Sequence, residues 1–200
     1  MFKNIQSKSE LIKKYSQGVR DFQNSFLTAV KLKSLNLAKA NFNFSNLFSN
    51  LIEINWSNSN LDRASFEKTY LCLSNFENCS LIRANLQGAN LERANLKGAN
   101  LQGANLERAN LKRANLQGVN LRGANFKNVQ LDNTCLAGAI YDGETLFDDN
   151  LDPDALKMIV DETTIGGNQS SLSSSKQARS SLNKILSWCR CPKLNWQPQD

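Results

Sequence analysis

The sequence contains no histidine, the side chain that most often acts as general base near neutral pH. Its absence excludes Ser-His-Asp and Cys-His catalysis but not carboxylate, lysine or tyrosine chemistry. Long apolar runs are missing too. Nothing approaches the roughly 18–20 consecutive apolar residues of a membrane span, and the opening MFKNIQSKSE has no apolar stretch of the secretory kind. The expectation is a cytoplasmic chain without a membrane span. The five cysteines are an odd number at spacings that suggest no disulfide framework. Cys72, Cys79 and Cys135 are scattered, and Cys189 and Cys191 form a lone C-x-C pair. Zinc ordinarily takes four ligands, so no metal site and no cofactor is expected, and the thiols are expected to be reduced.

What the chain does have is repetition. From Ala84 it reads ANLQG ANLER ANLKG ANLQG ANLER ANLKR ANLQG VNLRG ANFKN without insertion. The same phase extends both ways in weaker form, with apolar centres at Leu51, Trp56, Leu61, Phe66, Leu71, Phe76 and Leu81, then Leu86 through Leu121, then Phe126, Leu131 and Leu136. An earlier block, one residue out of phase, has centres Phe22, Leu27, Leu32, Leu37, Phe42 and Leu47, so one step of four residues falls between Leu47 and Leu51. The two blocks hold about 24 units, a repeat architecture.

A period of five fits neither regular backbone. In an α-helix, five residues advance about 500°, so the leucines would spiral and form no face. In a straight strand, side chains alternate with period two, and every second leucine would point outward. The pattern works only if the chain bends once per repeat and resets its inward direction, which a wound coil of short extended pieces does. Backbone groups then pair with the coils above and below. The position two before each centre is small, Ala at 84, 89, 94, 99, 104, 109, 114 and 124 and mostly Ser, Thr, Cys or Val elsewhere, as a narrow close-packed lumen requires. Leu35 and Ile54 are the exceptions.

The A-N-L-x-x run over residues 20–146 resembles the pentapeptide-repeat family. The resemblance implies an all-β solenoid, a right-handed quadrilateral β-helix with four pentapeptides per coil. Short α-helical caps are expected at both ends, since a solenoid must close its core. Residues 1–19 are assigned to an N-terminal capping helix, with Ser9 as N-cap and Gly18 as the stop. The segment ELIKKYSQGVRDFQN resembles the capping helix of cyanobacterial members, a regulator of heterocyst differentiation among them. Residues 147–162 are assigned to a C-terminal capping helix, ALKMIV, entered through Asp152-Pro153. Residues 163–200 are polar and low in complexity, so a flexible tail is expected. Within it Leu182, Ile185, Leu186 and Trp188 fit one face of a short helix.

The net charge is +6, and it is unevenly spread. The repeats are basic, whereas seven acidic side chains crowd residues 142–161. Some members of the family engage DNA gyrase by presenting an acidic, DNA-like rod. A mimic of DNA needs dense negative charge, so a gyrase-interacting protein is the disfavoured alternative here. Direct nucleic-acid binding is disfavoured as well, because glutamates interleave with the arginines and no outward aromatics offer stacking.

With four repeats per coil, equivalent residues of successive coils stack. Glu92 is then expected under Lys112 and Glu107 under Lys127, Gly98, Gly118 and Gly138 form one bare column, and Gly103, Gly123 and Gly143 form another. Arg93 and Arg113 stack as like charges near Arg108, and these three arginines are the candidate partner-binding residues. No catalytic residue is assigned. The expected function is a non-catalytic, monomeric scaffold that binds a protein partner in a regulatory setting.

Overall fold

The computed structural model describes residues 3–5, 7–27, 32–47 and 49–162. The expected flexible tail with its short helix, and Cys189 and Cys191, lie outside the described residues. Within them, each pentapeptide closes as a turn. In Leu96-Lys97-Gly98-Ala99 the Ala99 amide donates to the Leu96 carbonyl at 2.9 Å, and the third residue, Gly98, has φ +65°. Positive φ confined to that position is the signature of a type II turn. The bend recurs through the repeat, with the small residue donating back to the central one at 2.9–3.3 Å wherever the bond forms.

Asparagine before each centre has its own reason. Its side-chain oxygen accepts the amide two residues on, as Asn85 does from Gln87 at 3.1 Å and Asn110 from Lys112 at 3.0 Å, which is an Asx turn. The same amides stack up the rod: Asn55 donates to Asn36, Asn75 to Asn55, Asn95 to Asn75 and Asn115 to Asn95 at 3.0–3.4 Å. Asn95→Ala removes its bond from Lys97 and two rungs of this nearly buried ladder. The expected cost is about 1 kcal/mol, measured by urea denaturation.

The asparagine position is also where coils pair. Parallel bridges join Asn50 to Tyr70, Asn55 to Asn75, Asn85 to Asn105 and Asn120 to Ile140, the partners in each case separated by four pentapeptides. Four sides therefore make one turn of the coil. Asn36, Asn41 and Asn46 pair one position sooner than that, with Asn55, Asn60 and Ser65. The short step read between Leu47 and Leu51 is thus a short side within a coil that still closes. Near the other end Asn125 pairs one position later, with Leu146, so the side after Ile140 carries an extra residue.

The lumen is filled. The centres from Phe22 to Phe126 and Leu136 are 0–2% exposed, as are the alanines from Ala84 to Ala124, and Leu131 is only half-buried. Ile54 fits inside fully buried, while Leu35 packs partly buried against the core. Aromatic steps stack as the spacing predicts: Phe22 on Phe42 at 5.0 Å, and Trp56 on Phe76 at 6.4 Å with 13° between planes. Most polar residues in the small position are bonded to the rod's own backbone, Ser25 Oγ being buried without a partner among the described residues. Ser45, Ser59, Ser74, Thr134 and Thr145 donate to the carbonyls of Phe22, Leu37, Leu51, Leu111 and Leu121 at 2.7–3.1 Å.

At the N-terminal end, strand β1 (Lys3–Asn4) pairs in parallel with β2 (Ser25–Phe26), a rung the sequence did not reveal. Between them lies helix α1 (Lys8–Ser16). Its N-cap is Ser7, not Ser9, with the Ser7 hydroxyl accepting from the Glu10 amide at 3.1 Å. The spacing Ser7-x-x-Glu10 fits the capping-box pattern, and Ser9 does not. Gly18, φ +86°, lies just beyond the C-cap Gln17. Leu11 is fully buried in the core, and the Tyr15 hydroxyl donates to the Ala38 carbonyl at 2.8 Å.

The C-terminal segment departs from expectation. Residues 153–157 form turns, not the predicted helix, and β4 (Ile159–Val160) pairs in parallel with β3 (Ile140–Tyr141). Asp152 caps the turn, its Oδ1 accepting from the Asp154 and Ala155 amides, and Lys157 at φ +57° ends it. One turn is too short a nucleus to propagate as helix. The β-branched pair instead finds β3: the Ile159 and Asp161 amides donate to the carbonyls of Ala139 and Tyr141 at 2.8 and 2.7 Å.

Candidate functional site

With the interior filled, chemistry must happen on the outside. The outward side chains are the two that follow each centre, and the second of them carries positive φ whether or not it is glycine. Arg63, Leu73, Arg93, Arg108 and Arg113 are among the non-glycine residues that adopt it. Left-handed backbone costs an L-residue about 1–2 kcal/mol, so glycine at this position relieves strain. Gly98, Gly103, Gly118, Gly123 and Gly138 all have φ between +63° and +71°. A Cβ on Gly118 would meet nothing within 4 Å, whereas on Gly98 it would lie 2.6 Å from Asn78 Oδ1. Gly118→Ala is expected to lose about 1 kcal/mol from backbone conformation alone, and Gly98→Ala more, readable as paired melting curves.

The structure places the predicted arginines as follows. Arg93 and Arg113 are exposed and share one column; Arg108, also exposed, stands on the adjoining side of the coil. Their φ values are 59°, 60° and 60°. Arg108 Nε lies 3.5 Å from the Glu107 carboxylate. Lys112 pairs with Asp132 at 3.0 Å, and not with Glu92 as the stacking predicts. Exposed pairs of this kind are worth about 0.2–1 kcal/mol, and a long side chain selects either neighbour at little cost.

The second glycine column contains Gly103 and Gly123, and Gly143 falls out of it because of the extra residue in that side. Asp142 takes its place, with Oδ1 accepting the Gly123 amide at 2.9 Å. Asp148 does the same for the Asn128 amide at 2.9 and 3.0 Å. These carboxylates therefore stand in for carbonyls that the next coil would have supplied. That gives part of the acidic stretch a structural role.

Along this same face runs an open groove of about 660 Å³, from Asn43 and Phe44 to Asp142 and Glu144. Arg63, Arg83 and Arg122 stand along it, and Gly103 and Gly123 contribute no side chain. Sequence reasoning singled out the glycines but missed the groove. The signal was present in Phe44, Arg63 and Arg83, which share the column once the short side is allowed for.

Cys72 and Cys79 are free, whereas Cys135 is disulfide-bonded, which departs from the expectation of reduced thiols throughout. Burial pushes the Cys79 thiol up to about 12, and its Sγ donates to the Trp56 carbonyl, so it behaves as one more small lumen residue. Among the described residues no helix is long and apolar enough to cross a membrane.

A family model for pentapeptide repeats matches in eight copies over residues 48–78, 74–113 and 104–140. The pentapeptide repeat protein Rfr23 of the cyanobacterium Cyanothece 51142 is 33% identical, the match covering 70% of this chain and 99% of that one with a TM-score of 0.39. A pentapeptide repeat protein of the Arabidopsis thaliana thylakoid lumen is 32% identical over 48% of this chain and 66% of that one, TM-score 0.45. HetL, involved in heterocyst differentiation regulation in Nostoc sp. strain PCC 7120, is 19% identical over 78% and 93% of the two chains, TM-score 0.33. The specific resemblance to that regulator is weak. No curated protein matches the chain. Repeat matches in eight copies and a coil of four pentapeptide sides lead to one conclusion: the chain belongs to the pentapeptide-repeat family.

Proposed function

We propose that this chain is a non-catalytic scaffold that binds a protein partner through the outer faces of its rod, α1 serving as the N-terminal cap and the coil having the right-handed sense of its family. One observation carries the reading. The interior is closed by buried side chains, while cationic residues such as Arg93 and Arg113 recur outside at the coil interval without a carboxylate partner among the described residues. An enzyme needs a pocket with convergent polar groups, and the lumen has no room for one. On this reading the protein works as a monomer in the cytoplasm.

The test is affinity capture from the native cell with the wild-type protein and with the R93E/R108E/R113E variant. Loss of a captured protein in the variant supports binding through these faces. A capture profile unchanged by reversal on every face overturns the scaffold reading. The gyrase alternative is disfavoured by the basic repeats, and an effect of purified protein on gyrase supercoiling would favour it.

A further inference from the structure

We infer that the groove between Phe44 and Glu144 receives an extended acidic segment of the partner, with its carboxylates on Arg63 and Arg83; this rests on the scaffold reading and gives it an address.

The two arginines occupy adjacent rungs of one column, about 4.8 Å apart along the axis. Neither has a carboxylate within ion-pair distance among the described residues. Arg63 contacts the ring of Phe44 at 5.1 Å instead. Asp62 is engaged elsewhere, its Oδ1 accepting from Ser80 Oγ at 2.5 Å and the Ile82 amide at 2.9 Å. Further along, Arg122 is held by Asp161 at 2.5 Å. The groove thus has one end with two free guanidiniums and another whose cation is already neutralised. Stacked like charges repel, and a carboxylate offered to both relieves the repulsion while making charge-assisted hydrogen bonds.

Shape agrees with charge. Phe44 is 48% exposed at the arginine end, an apolar wall for a neighbouring side chain. Beyond it the floor is open at Gly123, where a Cβ would meet only Gly103 backbone at 4.0 Å, while the stem of Arg83 lies across Gly103, 3.3 Å from where its Cβ would stand. From Asn43 to Asp142 the face spans five coil spacings, about 24 Å, the length of about seven extended residues. The coil's amides are paired, and of its carbonyls those of Arg63, Arg83, Gly103 and Gly123 accept no bond among the described residues; selectivity for an acidic segment therefore rests on the arginine side chains. A nucleic-acid strand fits less well, since Asp142 and Glu144 line the same groove and would repel a continuous phosphate chain.

The full chain is tested against an array of synthetic heptapeptides bearing up to about four aspartates or glutamates, with hits measured by fluorescence anisotropy. Affinity is expected to rise as carboxylates cluster in one half of the peptide. R63E/R83E should weaken these peptides by about tenfold or more and shift preference toward lysine-bearing ones, which also shows that the variant is folded. Glu53 already sits at an equivalent left-handed position, φ 61°, so glutamate is compatible with that backbone. R93E/R113E, on the opposite face, should change affinity by less than about twofold. Equal binding of acidic peptides by wild type and R63E/R83E overturns the inference, as does tighter binding of a single-stranded DNA about seven nucleotides long than of any peptide. If only R93E/R108E/R113E abolishes partner capture, the groove assignment falls and the scaffold reading stands.

Discussion

Trp56→Ala is expected to be the most damaging single truncation in the rod, costing about 3–5 kcal/mol. Trp56 is fully buried and has the largest side chain in the core. It meets Phe42 edge-on at 5.1 Å and Phe66 at 6.2 Å, and stacks on Phe76. Aromatic pairs of this geometry add about 0.5–1.5 kcal/mol beyond burial, and one truncation breaks three of them. The walls cannot collapse to fill the void, because both neighbouring rungs are tied by backbone bonds: the Trp56 amide donates to Asn75 and the Asn55 amide to Leu35. Trp56→Phe provides the contrast. The indole N–H is buried with no hydrogen-bond partner, so replacing it removes an unmet donor while keeping most of the contact. Urea denaturation of both variants should show a large loss for alanine and a far smaller one for phenylalanine.

Ala99→Leu is expected to cost about 1–3 kcal/mol, toward the upper end, by overfilling the lumen. Ala99 is 1% exposed, its amide is fixed to the Leu96 carbonyl, and its carbonyl accepts from Asn120. The added branch therefore has nowhere to rotate without breaking a turn. Ala99→Ser should be almost neutral. Ser45 and Ser74 reach the central carbonyls of Phe22 and Leu51 in the preceding coil at 3.1 and 2.9 Å, and the equivalent acceptor for residue 99 is Phe76. A melting series in which leucine is tolerated would overturn the inward placement of the small residues.

The solenoid was legible because five-residue spacing leaves few alternatives, and the small residues before each centre announced the lumen. The four-residue step between Leu47 and Leu51 was legible as a change of phase. Other features were hidden for physical reasons. The left-handed position is invisible where Arg93 or Leu73 fills it, since the turn is imposed by bonds to the next coil and overrides local preference. Residues 153–157 carry helix-forming signals, yet the open edge at Ile140 offers Ile159 a better partner than a single helical turn can. Lys112 pairs with Asp132, and the sequence could not tell this from Glu92 because the two carboxylates lie one coil away on either side of the lysine. The groove depends on which columns adjoin, which requires knowing how many sides close one turn.

The short side at Leu47–Leu51 and the long one after Ile140 have a consequence for how such a rod tolerates change in length. Pairing stays parallel and in column across both, although one coil is a residue short and the other a residue long. The molecule counts corners, and a side can lose or gain a residue without turning the faces that follow. Removing a whole corner is a different event, because every downstream column would rotate by a quarter turn and Arg63 would no longer stand in line with Gly103. Small insertions and deletions here are therefore like dislocations that heal within one layer, whereas loss of one full pentapeptide re-addresses the whole surface beyond it.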